Sequence, residues 1–175
     1  SLLKIRKYLT KDATNTLVQS FIFSHLDYCN ALLYGLPDYQ IQKFQRIQNM
    51  AARIVYQLPK FSHVTPLFIE LHWLPVQYRI LFKVLIMTFK GLHSMAPQYI
   101  CEMFNVKSTR YSLRSEDTLT LHVPKTKRVT LQDRSLPVAG ARQWNCLPQH
   151  LKNISDFVVF KKELKTFIFK LAFNL

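Results

Sequence analysis

Residues 76–92 read VQYRILFKVLIMTFKGL, and apolar side chains would cover nearly every side of a helix formed by this stretch. Such a helix is typical of the buried centre of a helical protein, and Pro75 directly before it favours a helix start at the next residue. The stretch is interrupted by the cations Arg79, Lys83 and Lys90 and is too short to cross a membrane. We therefore predict one central helix with its cations on one side, and no transmembrane segment.

Two helices are predicted before this central one. Apolar residues recur at helical spacing over 11–34, with Asp12 in the first turn and Gly35-Leu36-Pro37 closing the segment. After that turn, Asp38 can cap a second helix that runs to about Leu58, where a proline follows. The apolar positions of the first helix are Leu17, Val18, Phe21, Ile22, Leu26, Cys29, Leu32 and Leu33, and those of the second are Ile41, Phe44, Ile47, Ala51, Ile54, Val55 and Leu58.

Short helices are predicted on both sides of the central helix, over 64–71 before it and from Ala96-Pro97 through Phe104 after it. From Asn105 to Arg134 the pattern changes, and alternating residues over 119–123 and 128–131, joined by a turn-like 124–127, predict a small β-hairpin. A further helix should follow Asp133 through Trp144, and a last one should begin at Ser155 or Asp156. The apolar side of the last helix is Phe157, Phe160, Leu164, Phe167, Ile168 and Leu171.

Composition favours the same architecture. The chain has 175 residues, 49% of them hydrophobic and only 3 of them glycine, which suits one hydrophobic core built from helices. We predict a mainly α fold, an orthogonal helical bundle with a small β-hairpin in its C-terminal half. The predicted parts are a helical module over 1–104 and, packed on it, the hairpin plus C-terminal helices over 105–175.

The chain is strongly basic. Its 24 Lys and Arg against 10 Asp and Glu give a formal charge of +14, which attracts polyanions and makes nucleic acid the favoured partner. No acid lies between Tyr39 and Ile69 or between Leu71 and Cys101, although these segments hold Lys43, Arg46, Arg53, Lys60, Arg79, Lys83 and Lys90. Positive charge without nearby acids is what a surface that binds phosphates requires. The alternative interpretation is a solvated basic surface that only aids solubility.

One edge of the second predicted helix carries cationic and amide side chains without an acid. Its residues are aligned by helical spacing and are our predicted nucleic-acid-binding residues: Gln42, Gln45, Arg46, Asn49 and Arg53. An ordinary solvent face is the alternative, although such faces usually include Glu. A weaker second group could touch RNA or only decorate the hairpin, and it consists of Lys125, Lys127, Arg128, Arg134 and Arg142.

Residues for catalysis are missing from the sequence pattern. The only adjacent acids are Glu116 and Asp117, so a two-metal site is not predicted, and the histidines lack the spacing of metal ligands. Cys29, Cys101 and Cys146 form no Cys-x-x-Cys pair, which favours a reducing intracellular compartment, nuclear or cytoplasmic. We predict no catalytic residue, metal, cofactor or small-molecule substrate in this chain. Because it opens with Ser1 rather than Met, we expect a fragment.

Many short phrases, in order along nearly the whole chain, resemble the region after the palm of reverse transcriptases from LINE-type, jockey-like retrotransposons. These phrases are Ser24-His25-Leu26-Asp27-Tyr28-Cys29-Asn30, Leu33-Tyr34-Gly35-Leu36-Pro37, Arg46-Ile47-Gln48-Asn49-Met50-Ala51-Ala52-Arg53, Glu70-Leu71-His72-Trp73-Leu74-Pro75-Val76, Ala96-Pro97-Gln98-Tyr99-Ile100 and Trp144-Asn145-Cys146-Leu147-Pro148. Shorter matching phrases are Arg79-Ile80, Phe89-Lys90 and Arg114-Ser115.

The resemblance implies that the parent is an RNA-directed DNA polymerase and that this chain is its non-catalytic, thumb-like C-terminal part. The palm and fingers of the same polyprotein would lie upstream of Ser1 and would be partners of this piece, together with an RNA/DNA duplex or single strand. Thumb helices hold a template-primer duplex through its backbone, which suits the acid-free edge.

Other functions remain open at the level of sequence. The chain could be a protein-interaction or scaffold module that docks a partner through aromatics near Tyr99, Phe104 and Tyr111 or through the last helix. It could also be a decayed element copy without a selected role. A membrane-surface role for the last helix is less favoured because its lysines form no clean polar face.

Overall fold

A computed structural model describes residues 2–107, 119–126 and 132–175, and these residues confirm the mainly α fold. A 3₁₀ turn over Arg6–Tyr8 follows the first helix, a π-helical segment over Gln19–Phe23 joins the second helix to the third, and a 3₁₀ turn over Asn30–Leu33 follows the third. The α-helices are α1 (Leu2–Ile5), α2 (Lys11–Val18), α3 (Ser24–Asp27), α4 (Asp38–Tyr56), α5 (Thr65–Glu70), α6 (Val76–Leu92), α7 (Gln98–Cys101), α8 (Leu136–Asn145), α9 (Gln149–Lys152) and α10 (Phe157–Phe173).

Helix α6 holds the central position that its sequence predicts. It packs against α4, α7, α8 and α10 and against the Asn30–Leu33 turn. Its side chains at Val84, Leu85 and Phe89 are almost completely buried. Burial of this many apolar side chains supplies much of the driving force for folding, because each contributes roughly 1.5–3 kcal/mol on leaving water.

The single helix predicted over 11–34 is wrong in its extent. The chain stays helical from Lys11 to Asp27 and then breaks, because Tyr28 is extended and Cys29 takes a left-handed conformation with φ of 49°. The π segment also changes which side chains face inward. In a π turn residues five apart share a face, so Phe23 lies on the same side of the helix as the buried Val18. Phe23 is therefore buried, whereas Phe21 is 61% exposed.

Helix caps are confirmed in part. Asp156 accepts a hydrogen bond from Val159 N over 2.8 Å and so caps α10. Asp38 is instead the first residue of α4, Pro37 occupies the cap position, and the Asp38 side chain makes no capping bond. The predicted start is therefore right and the predicted cap is wrong.

The buried side chains form two apolar clusters. The smaller one joins α2, the π segment, α4 and α5 around Ala51, Val55 and Trp73. The larger one joins α6 to α7, α8, α9 and α10 around Phe89 and Trp144. Phe104 and Leu121 both belong to the larger cluster, and the division of the chain at residue 104 stays a prediction.

The predicted β-hairpin is not seen among the described residues. Its second strand, 128–131, lies outside them. The segment around Leu121 instead pairs with Val106 in one antiparallel bridge. Its other edge is occupied by Asn145, whose Oδ1 accepts from Leu121 N over 2.8 Å and whose Nδ2 donates to Leu121 O over 2.9 Å. One asparagine side chain thus supplies the pairing that a second strand would provide.

Phe104 was predicted as an exposed docking aromatic, and this prediction is wrong because the residue is 8% exposed. Its ring lies against Gly91 of α6 and Gly140 of α8. A Cβ atom at Gly91 would stand 2.6 Å from the ring, and one at Gly140 would stand 2.9 Å from it. Both helical glycines therefore make room for this ring. Of its two predicted companions, Tyr99 is exposed and Tyr111 lies outside the described residues.

Candidate nucleic-acid interface

Gln45, one of the five predicted contact residues, is held inside the fold. Its Oε1 accepts from Val76 N over 2.9 Å, and its Nε2 donates to Gln48 and to Asn49. Gln48 is fully buried and donates to Leu74 O over 2.8 Å. These amides tie the middle of α4 to the start of α6, so the Gln45 amide group is already occupied by partners within the chain.

The other four predicted residues differ in how free they are. Gln42 and Arg46 are exposed, and neither forms an ion pair within the described ranges. Asn49 is half-buried and accepts the bond from Gln45. Arg53 is half-buried and donates from Nε to Ser62 O over 3.0 Å, which fixes the loop after α4 and leaves its two terminal nitrogens available.

A groove of about 860 Å³ runs beside the C-terminal half of α4, and three predicted residues, Arg46, Asn49 and Arg53, line it. We call it the α4 groove. Its remaining lining comes from the N-terminal 3₁₀ turn, from α4 and from the loop after α4, and consists of Arg6, Lys7, Met50, Ile54, Gln57, Leu58, Lys60 and Phe61. Gln42 and Gln45 are not part of this lining. None of the described lining residues is acidic, so this part of the groove combines five cations with an apolar floor.

Phe61 and Met50 are the exposed apolar groups of the α4 groove. The Phe61 side chain is 91% exposed and that of Met50 is 56% exposed. Lys60 lies 5.9 Å from the centre of the Phe61 ring. An exposed aromatic ring in a groove lined by cations can stack on a nucleobase while the cations hold phosphates.

Arg6 gives the groove a rigid wall. It is 8% exposed and donates from Nε to Ile54 O over 2.8 Å and from Nη2 to Val55 O over 2.7 Å. A third bond runs from Nη1 to Leu9 O over 2.6 Å. The carbonyls at the end of α4 carry partial negative charge, which compensates the buried guanidinium without an acid.

Glu70, the last residue of α5, is paired with a cation outside the α4 groove. Lys11 Nζ lies 2.6 Å from Glu70 Oε1 and also 4.0 Å from the Tyr56 ring centre. The hydrogen bond from Lys11 lowers the pKa of Glu70 and raises that of Lys11 itself. Glu70 therefore neutralises a cation of α2, and it does not line the α4 groove.

The weaker second basic group is only partly described. Arg142 forms an ion pair of 3.1 Å with Asp133, and Thr126 also donates to Asp133 over 2.7 Å. The bond from Thr126, followed by that from Arg142, lowers the pKa of Asp133. Lys125 is exposed and Arg134 half-buried, while Lys127 and Arg128 lie outside the described residues. Of the three described members, Arg142 is therefore neutralised by an acid, while Lys125 and Arg134 form no ion pair within the described ranges.

Sequence reasoning missed four lining residues of the groove, namely Arg6, Lys7, Lys60 and Phe61. Helical periodicity reports only on residues of one helix, whereas these lie in a turn before α2 and in a loop after α4. The available signal was Lys60-Phe61 directly after Pro59, because these residues lie beyond the end of the predicted helix and outside its apolar stripe.

Comparisons with known proteins add no family. No protein-family model matches the chain, and no curated protein or solved structure is similar to it. Among the described residues, no helix is long and apolar enough to cross a membrane. The same part of the chain holds no group of three or more His, Cys, Asp or Glu side chains placed to bind a metal ion.

Proposed function

We propose that this chain is a nucleic-acid-binding helical module that holds a sugar-phosphate strand in the α4 groove. The observation that carries the proposal is a groove whose lining, over the described parts of the chain, has five cations, no acid and the almost fully exposed ring of Phe61. Because Arg6 is committed to the end of α4, the groups offered to phosphates are Lys7, Arg46, Arg53 and Lys60.

More particularly, we propose that the module is the thumb and downstream region of a LINE-type retrotransposon reverse transcriptase. The resemblance of the ordered sequence phrases supports this parentage, and a basic groove without catalytic carboxylates suits a part that grips template and primer but does not polymerise. Under this proposal the palm and fingers of the parent supply the polymerase chemistry, and this chain needs no metal, cofactor or small-molecule substrate of its own.

Affinity for labelled nucleic acid tests the groove. Fluorescence anisotropy at low salt should show sequence-independent binding, and the double variant Arg46→Gln/Lys60→Gln should weaken it roughly tenfold or more because two phosphate contacts are lost. Lys43→Gln/Lys170→Gln removes the same charge from exposed positions outside the groove and is the matched control. Equal binding by the two double variants would show that overall charge, and not the groove, holds the ligand.

Stacking on Phe61 gives a separate test of the same groove. Phe61→Ala should weaken binding of a single strand by roughly 1–3 kcal/mol, because a base would lose its aromatic partner, while the number of phosphate contacts stays the same. A smaller effect is expected on a fully paired duplex, whose bases are already stacked. If the variant binds single strand and duplex as the parent does, Phe61 has no role in binding.

Docking of a protein partner is the second candidate. Met50, Ile54, Leu58 and Phe61 give the groove an apolar floor that the apolar face of an uncharged partner helix could cover. Such a partner would lose little affinity between low and moderate salt, since apolar contacts are not screened. Strong salt dependence of the binding therefore favours nucleic acid.

A further inference from the structure

A second basic cavity lies between α6 and α10 and shares no lining residue with the α4 groove. It has a volume of about 560 Å³, and we call it the α6–α10 cleft. Helix α6 contributes Arg79, Lys83 and Lys90, and α10 contributes Lys161 and Lys165. Residues four apart on a helix share a face, so the cations form two rows that face one another across the cleft.

Among the described residues one acid, Asp27, lines the cleft, and it is already paired. Asp27 receives both Nε and Nη2 of Arg79, with Nε 2.8 Å from Asp27 Oδ1. The same guanidinium lies over the Phe23 ring, with its central carbon 4.4 Å from the ring centre. A bidentate pair of this kind uses the charge of the carboxylate, which leaves nothing to offset the lysines.

The four lysines form no ion pair within the described parts of the chain. Glu163, the acid of α10, is two residues from both Lys161 and Lys165 and therefore points to the other side of the helix. Like charges gathered in a cleft repel one another, and a multivalent anion would relieve that repulsion. The cleft is thus electrostatically complementary to an extended chain of negative charge.

Trp73 also lines the cleft. It is 2% exposed, and its indole Nε1 has no hydrogen-bond acceptor among the described residues. An indole nitrogen can only donate, so the atom that would satisfy it is an acceptor such as a phosphate oxygen. The other tryptophan, Trp144, already donates to Leu119 O over 3.0 Å.

From these contacts we infer that the α6–α10 cleft is a binding site for a chain of phosphates. A nucleic-acid backbone and a free polyphosphate present the same chemistry to the four lysines. The site depends on its own residues and requires nothing from the α4 groove.

A calorimetric titration of the protein with inorganic tripolyphosphate at low salt tests the site. Lys83→Gln/Lys161→Gln should weaken binding by about tenfold, because one lysine is lost from each row. Lys43→Gln/Lys170→Gln should stay within about twofold of the parent. Equal weakening by both variants, or none by either, would overturn the assignment.

Nuclear magnetic resonance locates the ligand. On titration with tripolyphosphate, the indole N–H signal of Trp73 should shift progressively, whereas the signal of Trp144, whose N–H is bonded inside the protein, should stay in place. If the Trp73 signal does not move at saturating tripolyphosphate, the anion binds elsewhere and the proposal fails.

Competition between an oligonucleotide and tripolyphosphate shows which source of phosphates the cleft accepts. Using a variant with a disabled α4 groove restricts the measurement to the cleft. An oligonucleotide that displaces tripolyphosphate from the Arg46→Gln/Lys60→Gln variant shows that a strand can occupy the cleft, and failure to displace it assigns the cleft to free polyphosphate. Either result upholds a phosphate-chain site. Because the α4 groove is disabled in that variant, failure of the groove proposal would not alter the outcome.

Discussion

Gln48 is a fully buried amide in the middle of an amphipathic helix, and its position explains how α4 and α6 are joined. It receives a bond of 3.0 Å from Gln45 and donates to Leu74 O over 2.8 Å. A buried carbonyl that loses its donor keeps the cost of desolvation without compensation. This glutamine is therefore structural, although the sequence gives it no apparent role.

Replacing Gln48 by alanine should lower the free energy of unfolding by about 2 kcal/mol, because a cavity forms and Leu74 O loses its donor. Urea unfolding followed by circular dichroism measures the change. Gln42→Ala, an exposed amide of the same helix, is the control and should change stability by less than about 0.5 kcal/mol. If the two variants lower stability by comparable amounts, the hydrogen bonds of Gln48 do not stabilise the fold.

His93 should make stability depend on pH near neutrality. Its ring lies 4.1 Å from that of Phe89, its Nε2 is buried without a partner among the described residues, and burial lowers its pKa. As pH falls through the ordinary histidine value of about 6.5, the unfolded chain takes up this proton before the folded chain does, so stability decreases.

Thermal unfolding between pH 8 and pH 5 should therefore show a smaller loss of stability in His93→Phe than in the parent, since the variant keeps the ring and removes the titration. The paired acids Glu70 and Asp133 have lowered pKa values, so the stability that they contribute while ionised is lost only below this window, when their carboxylates become protonated. His150→Gln, at an exposed site, is the control. A parent and a His93→Phe variant with the same pH dependence would rule out this role.

At the scale of elements, close approach of helices depends on two glycines. Gly91 and Gly140 both lie against the Phe104 ring, and a methyl group at Gly91 would come within 2.6 Å of it. Alanine usually stabilises a helix interior relative to glycine by about 0.5–1 kcal/mol. Here packing should reverse that preference.

Gly91→Ala is expected to lower stability by about 1–3 kcal/mol through overpacking. In a Phe104→Leu background the same change should cost less, because a smaller side chain faces the new methyl group. The double-mutant cycle from urea unfolding measures this coupling. Additive effects would mean that the ring and the glycine do not constrain each other.

Sequence pattern predicted the elements that depend on local chemistry. The central α6 follows from its continuous apolar run, and the start of α10 follows from Asp156. The break at Tyr28 and Cys29 was not predictable, because the π segment shifts the helical phase and Arg79 draws Asp27 from 52 residues away. The bridge at Leu121 likewise depends on Asn145, which is distant in sequence.

The residues of the candidate site that the sequence predicts are those that lie on a single helix, α4. Arg46, Asn49 and Arg53 share an edge of α4, as their spacing indicates, and all three line the groove. Gln45 has the same spacing, but its amide is taken by the start of α6. Periodicity identifies a face of a helix, and it cannot tell which residues of that face another element will cover.

On the scale of the whole molecule, ten of the 24 Lys and Arg side chains line two cavities, the α4 groove and the α6–α10 cleft. Within the described parts of the chain, the one acid that lines either cavity is bound to Arg79. Such an arrangement costs electrostatic energy in the free protein and favours anionic ligands. It also predicts that salt should stabilise the unliganded fold modestly, by screening repulsion.

The salt dependence of strand binding tests the central claim most directly. The logarithm of the association constant, plotted against the logarithm of salt concentration, should fall less steeply for Arg46→Gln/Lys60→Gln than for the parent, by about 1.4 in slope for a single strand. The Lys43→Gln/Lys170→Gln control should keep the parental slope. If the groove variant keeps the slope of the parent, no phosphates rest against α4, and the account is contradicted.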